Sequence, residues 1–173
     1  MHHPLKKLVL GMIFLLPSSQ VHADLWIFNV TLDGLQEVPP NASPGLGTAT
    51  AIFDDISGAM NITGNYSGLL APAIDAHLHG YAPMGSNAGV VFGLSFNPST
   101  AGTINGNGVI PAARIPDVLN GLTYINIHSA VFPGGEIRGQ LINPSLVPEP
   151  GSAGIISIIG LCVMCARRRR RIG

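Results

Sequence analysis

From Leu25 to Ile142, apolar and polar residues alternate in short runs broken by clusters of Gly, Pro, Asn and Asp. Alternation with a period of two puts successive side chains on opposite faces of a strand. Helical periodicity is nearly absent, so the pattern calls for an antiparallel sheet protein. Strands are expected at residues 25–32, 47–53, 60–66, 74–79, 90–96, 103–109, 123–129 and 136–142. One helical turn is expected at 115–120, where Pro116 suits a first turn and Gly121 can cap the end. Seven or eight strands at this spacing predict an all-β fold, an antiparallel two-sheet sandwich of Greek-key type, with a small barrel as the alternative.

The two ends of the chain follow other rules. Lys6 and Lys7 precede an apolar stretch, residues 8–16, then Pro17 and polar residues, and Val21-His22-Ala23 offers the small residues that signal peptidase needs. Residues 1–23 therefore read as a signal peptide cut after Ala23. At the other end, Val147-Pro148-Glu149-Pro150 leads into an apolar run, residues 151–166, and five arginines, Arg167 to Arg171. The run is shorter than the roughly 20 residues of a comfortable transmembrane helix, and the arginines would stay cytoplasmic, so a temporary anchor is expected. Pro148 and Pro150 hold the segment around Glu149 extended and accessible.

Pro148-Glu149-Pro150, an apolar helix and an arginine cluster, in that order, resemble the PEP-CTERM sorting signal of Gram-negative bacteria. The resemblance implies processing by a membrane transpeptidase, exosortase. The expected partners are signal peptidase, an exosortase-type transpeptidase, the inner membrane before processing, and extracellular polysaccharide or matrix. The expected destination is the cell surface or the extracellular space.

Between these ends, residues 24–146 form one domain. The formal charge of zero is misleading, because seven of the nine basic residues lie in the terminal segments. Residues 24–147 keep Arg114 and Arg138 against eight acids, a net charge of −6, which argues against nucleic acid as a partner. Both cysteines, Cys162 and Cys165, fall in the apolar tail, so the domain has no disulfide.

Five landmarks occur in order: Leu32-Asp33-Gly34 with Gln36-Glu37-Val38-Pro39-Pro40; Gly47-Thr48-Ala49; His77-Leu78-His79-Gly80; residues 124–129, Tyr-Ile-Asn-Ile-His-Ser; and residues 134–140, Gly-Gly-Glu-Ile-Arg-Gly-Gln. Together they resemble the CHRD domain, first described in chordin and common in bacterial secreted proteins, over about Trp26 to Ile142. The resemblance implies an all-β extracellular module and brings no established activity, so a non-enzymatic structural or binding role is expected, without a resident cofactor.

The chemically suggestive residues are histidines. His77 and His79, two apart on a strand, share a face. In 124–129, Ile125 and Ile127 read as the core row, which sets Tyr124, Asn126 and His128 on the other face. The same parity buries Ile137, Gly139 and Leu141 and exposes Glu136, Arg138 and Gln140. If these two strands pair as a hairpin, matching core faces requires opposed residue numbers with an even sum, with Phe132-Pro133-Gly134 as the turn.

If the strand with the His-x-His pair lies beside that hairpin, His77, His79 and His128 converge, and three imidazoles suit copper or zinc. At these three positions alone the pattern resembles the copper site of copper/zinc superoxide dismutases, another β-sandwich family; its fourth copper ligand, zinc loop and disulfide have no counterpart here. This makes an extracytoplasmic metal-binding, redox-active domain the second functional reading. The competing reading is a structural polar network: His128 with Glu136 or Asn126, and Arg138 bidentate to Glu37 or Asp75. Glycine-rich 102–108 lacks the lysine and following helix of a phosphate cradle.

Overall fold

The computed structural model describes residues 23–148. The expected signal peptide up to His22, and the tail from Glu149 onward with its apolar run and arginines, lie outside the described residues. No helix among the described residues is long and apolar enough to cross a membrane.

Ten strands and one short α-helix, α1 (Ile115–Leu119), make up the described chain. The strands are β1 (Leu25–Asp33), β2 (Leu46–Asp54), β3 (Ala59–Ser67), β4 (Ala73–Gly80), β5 (Val90–Gly93), β6 (Ser95–Phe96), β7 (Gly102–Val109), β8 (Thr123–Ser129), β9 (Ile137–Gln140) and β10 (Ser145–Leu146). All belong to one sheet in the order β5-β4-β8-β9-β1-β2-β3-β7-β6, with β10 added against β1.

The expected two-sheet sandwich is therefore corrected to a single, nearly closed barrel. Sandwich and barrel share the same in–out alternation; what separates them is one strand that changes partner. Residues 90–96 do so. Their first half pairs with β4, with His77 opposite Gly93 and Leu78 opposite Phe92, and their second half pairs with β7, with Phe96 opposite Ile104. The bend falls at Leu94, whose N–H still reaches Ala76 O at 2.8 Å. Because β4 and β7 lie toward opposite ends of the strand order, this segment draws the two edges together.

The interior is lined by the apolar parity of each strand. Phe28, Phe53, Ile62, Leu78, Ile125 and Ile137 are all completely buried. Each such side chain contributes about 1.5–3 kcal/mol by leaving water. α1 closes one end through buried Val118, and Gly121, at φ +74°, ends it with its N–H on Val118 O at 3.0 Å. Asp54 caps the β2–β3 turn by accepting from the N–H groups of Ile56 and Ser57, which holds its carboxyl below the usual range. The neighbouring Asp55 accepts from Asp24 N and Trp26 Nε1, fastening the start of β1 to that turn.

Strands β1 and β9 approach closely where β9 carries a glycine. A Cβ on Gly139 would meet Thr31 O and Val30 Cγ1 at 2.5 Å. We expect Gly139→Ala to destabilise the barrel by about 1–3 kcal/mol, the usual cost of overpacking, measured as a lower denaturant midpoint with unchanged slope; an unchanged midpoint would show that the wall has slack there.

Candidate functional site

The β8–β9 hairpin sets the geometry of the outer face. Tyr124 lies opposite Gln140, Ile125 opposite Gly139, Asn126 opposite Arg138 and Ile127 opposite Ile137. The expected even sum holds, and the register is centred on Phe132, one residue earlier than a Phe132-Pro133-Gly134 turn would place it. On the other side of β8, Asp75 lies opposite His128, His77 opposite Asn126, and His79 opposite Tyr124. Adjacent strands thus bring His77, His79 and His128 onto one patch, as the sequence parity requires.

One expectation about this face fails. Glu136, Arg138 and Gln140 were expected to be exposed, yet Glu136 and Arg138 are completely buried and Gln140 nearly so. Two loops that carry no alternation signal cover them. Gln36, in the 34–44 loop, accepts from Gln140 N with its side-chain oxygen at 3.2 Å. From the 81–89 loop, Ser86 O and Asn87 Oδ1 accept from Arg138, and Ala82 O accepts from Gln140 Nε2 at 3.0 Å. Asn87 Nδ2 donates to Val38 O at 2.9 Å and joins the two loops to each other.

The polar partners differ from those expected. Arg138 makes no ion pair with Glu37 or Asp75; it donates to Gln140 Oε1 at 2.8 Å and lies over the Tyr124 ring, 3.5 Å from its centroid. His128 bonds neither Glu136 nor Asn126: its Nδ1 meets Pro133 O, and Glu136 accepts from Ser43 Oγ at 2.6 Å and Leu70 N at 2.7 Å. Asp75 pairs with His77 Nε2 at 3.1 Å. Glu37 is buried beside Asn126, with Gly135 leaving the room: a Cβ there would meet the Asn126 amide and Glu37 Oε1 at 2.5–2.6 Å. Burial pushes the Glu37 carboxyl up to about 7, against the opposing pull of Arg138.

The three imidazoles offer nitrogens that all lie within 4.8 Å of one another. Each ring is aimed by a bond on its far nitrogen. His79 Nδ1 donates to Ala88 O at 3.0 Å, His128 Nδ1 donates to Pro133 O at 3.0 Å, and His77 Nε2 donates to Asp75. Those acceptors cannot donate, so in the neutral rings His77 Nδ1, His79 Nε2 and His128 Nε2 carry the lone pairs. His79 Nε2 is buried with no hydrogen-bond partner. Burial is the largest influence on both His79 and His128 and lowers their tendency to protonate. Such outer bonds to carboxylate and carbonyl oxygens are the arrangement that orients metal-binding histidines.

Tyr124, which sequence parity placed on this face without a role, organises it. Its ring stacks on His79 at 5.0 Å and 8° between planes, and its hydroxyl accepts from Ala88 N at 3.0 Å. A separate shallow groove, on the outside of β1, β2, β3 and β7, is lined by Asn29, Thr31, Thr48, Thr50, Thr63, Asn65 and Thr103 and has no titratable lining residue.

The sign of the Glu37 effect is definite. Its carboxyl titrates near 7 in the fold and near 4.5 when unfolded, so between those values the unfolded chain has lost a proton that the fold retains. Stability carried by this group is full below pH 4.5 and is lost as pH rises toward 7. In Glu37→Gln the fall in unfolding free energy from pH 5 to pH 8 should shrink by on the order of 2 kcal/mol, measured by urea denaturation.

A family model described as the CHRD domain matches residues 28–141. No curated protein and no solved structure matches the chain. The matched span runs from Phe28 in β1 to Leu141 just past β9 and takes in the three histidines, Glu37, Tyr124 and Arg138. That is more than half of the 173 residues, and the chain belongs to the CHRD domain family.

Proposed function

We propose that this CHRD barrel is an extracytoplasmic module that binds one copper or zinc ion through His77 Nδ1, His79 Nε2 and His128 Nε2. The observation that carries this reading is a conflict of lone pairs. His77 Nδ1 and His128 Nε2 lie 3.2 Å apart, while the other nitrogen of each ring already donates its proton to an oxygen that can only accept. Two bare nitrogens at that distance need a cation between them. A proton on His77, paired with Asp75, would bridge them too, but it would leave His79 Nε2 without a partner. A metal ion satisfies both nitrogens and also gives His79 Nε2 a partner. About 2.0–2.1 Å from zinc to each nitrogen makes 3.2 Å a natural separation for two ligands of one tetrahedral ion.

The ends of the chain supply the second part of the reading. Cleavage after Ala23 and the order Pro148-Glu149-Pro150, apolar run, arginines support export, a transient hold in the inner membrane, and release or surface attachment by an exosortase-type transpeptidase. The barrel's role there is that of a cell-surface or matrix component, with the polymer layer as its surroundings. Pro148 follows directly after Val147, whose N–H bonds Leu25 O at 2.8 Å, so the processing motif begins where the barrel ends.

The intact chain, purified without a histidine tag, should take up one equivalent of Cu(II) or Zn(II) by titration calorimetry and elemental analysis. At a hundredfold excess of metal over Kd, the fold should gain about 2.7 kcal/mol. His77→Ala/His79→Ala should abolish that equivalent, while His2, His3 and His22 are present in both chains. Equal uptake by wild type and double variant would end the proposal. Because burial lowers the tendency of His79 and His128 to protonate, protons should compete with the metal less at these two ligands than at free imidazoles, and the equivalent should be lost only as the pH is made acid. Processing is read separately: a mature chain still carrying its tail in cells with an active transpeptidase would refute the sorting claim.

A further inference from the structure

We infer that the ion held by His77, His79 and His128 takes a small monoanion as its fourth ligand, an inference that rests on the metal-binding reading above. Among the described residues, these three are the only His, Cys, Asp or Glu side chains in the cluster. The nearest carboxylate, Asp75, is turned away: its Oδ1 sits 3.1 Å from the far nitrogen of His77 and accepts from Ala76 N at 2.9 Å. Glu37 lies outside the cluster, buried beside Asn126 and Gly135. Copper and zinc with three imidazoles retain at least one further position for an exogenous ligand.

That position has a direction. The sheet forms the floor, and Ala88 O and Pro133 O mark the loops that wall in His79 and His128, 8% and 9% exposed. The side toward β4 is open, where the His77 side chain is 19% exposed and that of Asp75 is 53% exposed. The fourth ligand therefore enters past His77.

Its charge follows from the residues present. A divalent ion on three neutral imidazoles brings two positive charges, and Asp75, bonded to His77, offsets one. With the Arg138 guanidinium behind Tyr124 and His79 as well, the site keeps a positive surplus in a domain that is otherwise acidic, and a monoanion of azide or carboxylate type reduces it. A neutral ligand would leave that charge in place.

The probe is sodium azide added to the intact chain loaded with one equivalent of Cu(II), read by visible absorption and electron paramagnetic resonance. We expect a new azide-to-copper charge-transfer band saturating at one azide per copper, with the copper retained. Asp75→Asn keeps an acceptor for His77 and removes the negative charge, so azide should bind it about threefold to tenfold more tightly. A purely structural Asp75 would leave that affinity unchanged, which would overturn the charge argument. Copper bound stoichiometrically with spectra indifferent to saturating azide would overturn the fourth-ligand inference and leave the metal site standing. Failure of copper to bind, or equal binding by the His77→Ala/His79→Ala chain, would remove both.

Discussion

The outer face of this barrel is organised around the stack of Arg138, Tyr124 and His79. A completely buried guanidinium is tolerated because it lies over the Tyr124 ring and donates to Gln140 and to the 81–89 loop. Arg138 and His79 reach Tyr124 from β9 and β4, the strands on either side of β8, so the ring is held between cation and imidazole. The tyrosine hydroxyl then holds Ala88 N, and the Ala88 carbonyl fixes His79 Nδ1. The orientation of one imidazole therefore depends on a cation two strands away. The chain of contacts also explains why a small acidic domain keeps an arginine inside: it ties the covering loop to the sheet.

Much of this was legible in the sequence because a strand's parity is a rigid constraint. Once Ile125 and Ile127 are assigned to the core, His128 must lie on the face of Tyr124 and Asn126, and the same reasoning pairs His77 with His79. The hairpin's even-sum register follows from matching two apolar rows. What parity does not encode is what lies above a face. The loops at 34–44 and 81–89 have no periodic pattern, and their grip on Arg138 and Gln140 comes from backbone carbonyls, which any residue supplies. For that reason a polar row that reads as solvent-facing is buried.

Barrel closure was hidden for a related reason. Residues 90–96 alternate as one strand, and the change of partner at Leu94 leaves no mark on the pattern. The specific partners of Glu136 and Asp75 also escaped, because these carboxylates are served by a hydroxyl, backbone N–H groups and an imidazole rather than by the arginine. Ser43 and Leu70 satisfy one oxygen of Glu136, and Ala76 N and His77 serve Asp75. Charge type and face suggest an ion pair with Arg138; neutral donors that carry no charge signal in the sequence meet the need of Glu136 instead.

The histidine patch is where the structural and functional readings diverge. A structural network normally uses each ring once as donor and once as acceptor, and that is how it stabilises a fold. Here all three rings donate outward, to Asp75, Ala88 and Pro133, and all three lone pairs face inward. Two of those lone pairs approach to 3.2 Å and the third is buried without a hydrogen-bond partner. Neutral rings in that arrangement repel one another, and the surrounding loops offer the inner nitrogens no hydrogen. The outer hydrogen bonds of all three rings are committed to oxygen acceptors while their inner nitrogens converge, and that geometry is what the metal-binding proposal rests on.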